Sequence, residues 1–160
     1  MKKGIMLLAL VALFGCEDED IKATIEGNTR VFAVDGFKLE IGNLTEYYSL
    51  DEAKDLIFIP NNLPEGDYAG LSNLGISEEE CGYIDTSEQT CFASGETGSC
   101  LPNNVKMLGI NIYTIAMEDI DEAAKLGYYP TIASHLGGQY VDFDITTSHC
   151  PISGNEVLNQ

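Results

Sequence analysis

"TRVFAVDGFKLEI", Thr29 to Ile41, is the stretch that decides the fold. Apolar residues alternate on both sides of Asp35-Gly36, and Asp-Gly between alternating runs is the strongest short-range cue for a β-hairpin. A two-residue turn there pairs Val34 with Phe37 and Phe32 with Leu39. Phe32, Val34, Phe37, Leu39 and Ile41 then share one apolar face, while Lys38 and Glu40 share the other, because side chains alternate along a strand. The expectation is an antiparallel sheet with one buried face.

Moving toward the C-terminus, Ser49-Leu50-Asp51-Glu52 reads as a capping box that opens a short helix ending near Leu56, since a serine and a glutamate three positions later satisfy each other's backbone N–H groups. Ile57-Phe58-Ile59 reads as a buried strand stopped by Pro60. From Ser77 to Asn104 the composition turns to Glu, Ser, Thr, Gly and Cys with little periodicity, which predicts a long loop that is either functional or stapled. Glu78-Glu79-Glu80 within it reads as a solvated face. Val105 to Ile115 predicts a strand. "MEDIDEAAKLG", Met117 to Gly127, predicts a helix with acids in its first turn, Lys125 in its last and Gly127 as its stop. A second hairpin, "TIASHLGGQYVDFDI", turns at Gly137-Gly138 and places Ile132, Val141, Phe143 and Ile145 toward the core.

The segment Leu63-Pro64-Glu65-Gly66-Asp67-Tyr68 resembles the L-P-x-G-x-Y turn into a strand of transthyretin-like and fibronectin-like β-sandwiches. That resemblance implies a sandwich in which the tyrosine makes a corner bond. The expected fold class is therefore mainly β: a single disulfide-stapled, β-sandwich-like domain over residues 23–160 with one or two short helices. No internal repeat or second domain is visible.

The N-terminus reads separately. Lys2 and Lys3 precede an apolar run of ten residues, Ile5 to Phe14, too short to span a bilayer and suited to a secretory signal over residues 1–15. Leu13-Phe14-Gly15-Cys16 resembles the lipobox of bacterial lipoproteins. That likeness implies cleavage before Cys16, a diacylglyceryl thioether on its sulfur and acylation of its amine. Several chains make a durable anchor, because each buried methylene contributes about 0.8 kcal/mol. Residues 16–22 then form a lipidated cysteine and an acidic tether. Glu17 to Asp20 also resembles the acidic stretch that marks surface-exported lipoproteins of Bacteroidetes-type bacteria. The expected location is the bacterial envelope, with the outer membrane favoured and its face left open.

With Cys16 assigned to lipid, Cys81, Cys91, Cys100 and Cys150 form an even set for an oxidising compartment. Of the three possible connectivities, Cys81–Cys91 with Cys100–Cys150 is favoured, because the first closes a local loop and the second ties back the C-terminus. Zinc is the rival use, with His149 beside Cys150, but the chain has no C-x-x-C pair.

The 160 residues include 8 basic and 26 acidic side chains, for a net charge of −18. Such a surface repels phosphate backbones, so nucleic acid is excluded as a partner. The acidity serves solubility, or attracts divalent cations or a basic partner. His135, Tyr140, Asp142 and Asp144 form a convergent polar set on one sheet face. His135, Asp142 and Asp144 are the candidate ligands for calcium or another divalent cation, against the plainer reading of a solvated sheet face. The chain has no H-E-x-x-H and no G-x-S-x-G, and Ser94 to Ser99 lacks the lysine of a phosphate loop. The functional expectation is a non-enzymatic, lipid-anchored binding, assembly or surface component without a cofactor. A cation-dependent ligand-binding module is the alternative and a hydrolase the third. Expected partners are the membrane, through the anchor, and an envelope or surface protein.

Overall fold

The computed structural model describes residues 23–86, 90–94, 97–131 and 145–148, with the side chains of 93–94 and 97–99 left aside. Its elements are β1 (Asn28–Ile41), β2 (Leu44–Ser49), α1 (Leu50–Lys54), α2 (Tyr68–Ser72), β3 (Glu78–Asp85), β4 (Cys91–Ser94), β5 (Thr97–Cys100), β6 (Val105–Ala116), α3 (Ile120–Lys125), β7 (Tyr129–Pro130) and β8 (Ile145–Ser148). The fold is mainly β. One antiparallel sheet runs β2-β1-β6-β3-β8, β7 joins the outer edge of β1, and β4-β5 form a separate ribbon.

The decisive stretch is not a hairpin. Residues 28–41 are one continuous strand that pairs with β6, and the register slips between Val34–Ile110 and Gly36–Gly109. Asp35 is the extra residue of a β-bulge. A bulge, like a two-residue turn, shifts the alternation by one. Phe32 and Val34 before it, and Phe37 and Leu39 after it, therefore face the same core, each at most 4% exposed. Ile41 lies at the strand's end and is 43% exposed rather than buried. The true hairpin turns at Gly42-Asn43, between the paired residues Ile41 and Leu44. Gly42 has φ +65° and Asn43 does not share a positive φ, the pattern of a type II′ turn, which needs glycine at its first central position.

Both faces of the sheet are covered. On one, Phe32, Val34, Phe37, Leu39, Ile84, Leu108, Ile110 and Ile112 pack with Phe92 of β4 and with Leu101, so the ribbon forms a small second layer and the stack is sandwich-like. Ile145 joins this core, as its position in the second hairpin predicts. Residues 132–144 of that hairpin lie outside the described residues. On the opposite face, Val31, Ala33, Tyr113 and Ile115 meet Leu71 of α2, Ala123 of α3 and Tyr128.

Ser49 caps α1 with Glu52 reciprocating, as the capping box predicts. Strand β6 and the helix after Met117 also form as expected. Three expectations fail. Residues 57–59 keep strand-like sidedness, with Phe58 68% exposed, but have no ladder partner and form no strand. The L-P-x-G-x-Y segment leads into α2, capped by Asp67, rather than into a strand. Its Tyr68 hydroxyl donates to Glu79 Oε1 (2.8 Å), not to a backbone corner. The presumed loop from Ser77 contains β3. Within its triple glutamate, Glu80 Oε2 lies 3.0 Å from the buried Arg30 guanidinium.

The favoured disulfide pairing is also corrected. Cys91 bonds Cys100 across the β4–β5 ladder, where the two are register partners. Opposed positions on neighbouring strands bring their Cβ atoms close, which a pattern of spacings alone cannot convey. Cys81 is disulfide-bonded as well. With Cys91 and Cys100 taken, only Cys16 and Cys150, both outside the described residues, remain as its partner.

Candidate functional site: a tyrosine groove beside the bulge

The outer edge of β1 is shared by two strands. β7 pairs at Val31 and Phe32, and β2 pairs from Gly36 onward. Between them the Val34 N–H donates to the Pro64 carbonyl instead (2.7 Å), and Asp35 bulges. A groove of about 290 Å³ opens at this gap on the helix-covered face. Asp35, Asn111, Tyr113, Tyr128, Tyr68, Glu65 and Asp51 line it, over a floor that includes Ala33 and Val34.

Asp35 is held from two sides. The Tyr47 hydroxyl donates to its Oδ2 (3.1 Å) and the Asn111 side-chain amide to its Oδ1 (3.4 Å). Tyr47 can lie there because Gly36 and Gly109 face each other across β1 and β6. A Cβ on Gly36 would stand 2.6 Å from the Tyr47 hydroxyl and 2.5 Å from the Tyr48 carbonyl, and a Cβ on Gly109 would collide with the same hydroxyl. The glycine pair thus makes room for the phenol that orients Asp35. Burial first, then the Asp35 charge, pushes the Tyr47 hydroxyl above the ordinary phenol range.

The tyrosines form an aromatic corner. The Tyr113 ring lies 5.7 Å from Tyr68 at 48° and 5.7 Å from Tyr128 at 87°. Tyr113 and Tyr128 are 8% and 2% exposed. Among the described residues neither hydroxyl has a hydrogen-bond partner, yet both residues line the groove. The residues are buried but their hydroxyl oxygens reach solvent, so the pair offers donors and acceptors to whatever enters the groove.

Both phenols titrate late. Burial, then the neighbouring Tyr128 and Glu79, pushes Tyr113 up to about 12, and burial followed by Asp67 and Tyr68 does the same for Tyr128. Between pH 10, where an unfolded tyrosine ionises, and 12 the native chain holds more protons than the unfolded one, so stability falls as pH rises through that window. A spectrophotometric titration of the phenolate band should show these tyrosines ionising after the exposed ones, while stability declines over the same range.

Cys16, Cys150, His135, Asp142 and Asp144 lie outside the described residues, as does Tyr140. Among the described residues no group of three or more His, Cys, Asp or Glu is placed to hold a metal ion. The groove carries no motif in the sequence. Its one local signal was Asp35-Gly36, read as a turn; the tyrosines come from α2, β6 and the approach to β7 and carry no shared motif. No family model, curated protein or solved structure matches this chain.

Proposed function

We propose that this chain is a lipid-anchored binding domain of a bacterial cell envelope, in the outer membrane, with the tyrosine groove as its docking surface. Cys16 carries the acyl chains, and the carboxylates of Glu17 to Asp20 hold the domain off the headgroups. The observation that carries the binding reading is the pair of Tyr113 and Tyr128, whose hydroxyls have no partner among the described residues and which line the groove beside a carboxylate fixed from two sides. Binding rather than catalysis is supported by the lining itself. Among the described residues it contains no histidine or cysteine, and its serine, Ser49, is engaged with Glu52 as the cap of α1.

A double substitution, Tyr113→Phe with Tyr128→Phe, tests the groove. It removes two hydroxyls that bond nothing among the described residues, so stability should change by no more than about 0.5 kcal/mol. The same variant should lose the thermal shift produced by any ligand that stabilises the wild type from a panel of amines, oligosaccharides, dipeptides and phosphate esters. A panel whose every stabilising member acts equally on both proteins contradicts the proposal. For the anchor, Cys16→Ala should move the chain from the membrane fraction to the soluble one; retention in the membrane contradicts lipidation.

A further inference from the structure

We infer that the groove takes a primary alkylammonium group, as carried by a lysine side chain or a polyamine. The inference rests on the groove being the docking surface. Among the described residues every charged side chain lining it is acidic: Asp35, Asp51 and Glu65. An ammonium brings three N–H donors and no acceptor, and the groove is rich in what such a group needs. Asp35 accepts one bond on each oxygen, and a carboxylate has about four lone-pair sites, so it can accept more. The phenol oxygens of Tyr113 and Tyr128 line the groove and add neutral acceptors, protonated at neutral pH like any phenol. The Tyr113 ring packs against Tyr68 and Tyr128, and Tyr68, 52% exposed, presents ring surface of the kind that attracts a cation.

The protein already seats an ammonium on this rim. Lys54 Nζ lies 3.0 Å from Glu65 Oε2 and 3.6 Å from Asp51 Oδ1, two of the lining carboxylates. The long-range field favours the same ligand, because a net charge of −18 concentrates cations and repels anions. A neutral sugar gains nothing from that field.

Calorimetric titration of the full chain in detergent, with n-propylammonium chloride against n-propanol and a blank into detergent alone, tests the inference. The ammonium should bind saturably and at least about fivefold tighter than the alcohol, with the difference shrinking as salt rises. Asp35→Asn keeps the shape and an acceptor but removes the charge, and should weaken the ammonium about threefold. Lys54→Gln frees Glu65 and Asp51 and should tighten it about twofold. Comparing 1,3-diaminopropane with a lysine-containing pentapeptide then separates the sources: the tighter of the two identifies a free amine or a protein partner. Equal binding of ammonium and alcohol, no binding of the ammonium, or indifference to Asp35→Asn overturns the inference. The groove reading survives that outcome if the Tyr113→Phe/Tyr128→Phe variant still weakens another ligand of the panel, and falls with it if no ligand responds to that variant.

Discussion

Deletion of Asp35 is expected to abolish the native fold, whereas Asp35→Asn is expected to leave stability within about 0.5 kcal/mol of wild type. The contrast follows from what the residue does. Its side chain is exposed at the groove, but its backbone supplies the extra position that lets Val34 and Phe37 face one core. Without it, strict alternation sends Phe37 and Leu39, both 0% exposed, to the opposite face. Losing the burial of a large core side chain costs about 2–5 kcal/mol. Two such losses rival the whole stability of a typical domain, about 5–15 kcal/mol. Circular dichroism with urea denaturation reads the result. A deletion variant with a wild-type midpoint would show that the bulge does not set the sidedness of β1.

The second large effect concerns the ribbon. Cys91→Ser with Cys100→Ser should lower stability by about 2–3 kcal/mol, since the bond closes a loop with a sequence separation of 9 and loop-closure entropy for such a length is of that order. More than entropy depends on the ribbon. Phe92, buried beside Tyr129 with ring centroids 6.3 Å apart, covers the first core, and the Asn62 side-chain amide donates to its carbonyl. Tyr129 in turn donates to the Asn62 carbonyl (2.9 Å), so ribbon, loop and β7 hold one another. The loss should appear in urea denaturation of the double-serine variant and, in the wild type, on reduction. Peptide mapping of the oxidised chain should recover Cys91 linked to Cys100, and Cys81 linked to Cys150. The second link is expected because Ser148, two residues before Cys150, is the register partner of Cys81, while Cys16 is assigned to lipid. A Cys81–Cys16 link would remove the lipid assignment.

How much of this was legible in the sequence depends on how local each signal is. The capping box at Ser49 and the acids, Lys125 and Gly127 around α3 act within a few residues, and those elements form as read. The sidedness of β1 was legible although its geometry was not. A tight turn and a one-residue bulge shift the alternation identically, so the apolar pattern of Phe32, Val34, Phe37 and Leu39 fits both. The cue that separates them lies downstream: Gly42-Asn43 is itself a hairpin dipeptide, and it leaves residues 28–41 to form a single strand. The ribbon was hidden because β4 and β5 contain glycine and serine and lack the apolar alternation that marks a strand. The groove was hidden for a different reason. Asp35, Tyr68, Asn111, Tyr113 and Tyr128 converge only after β1 pairs with β6 and α2 and α3 settle on the far face. A tyrosine on a strand reads as core until the fold shows that it lines a groove.

The most direct test of the account is a map of amide chemical-shift changes in the isotope-labelled full chain as a stabilising ligand is titrated. Changes are expected to concentrate at Asp35, Gly36, Gly66, Asn111 and Tyr113, around the groove, and to be absent from the distal end of β3 and from the β4–β5 ribbon. Changes centred on the outer edge of β2 or on the ribbon, with the groove amides unmoved, would contradict it.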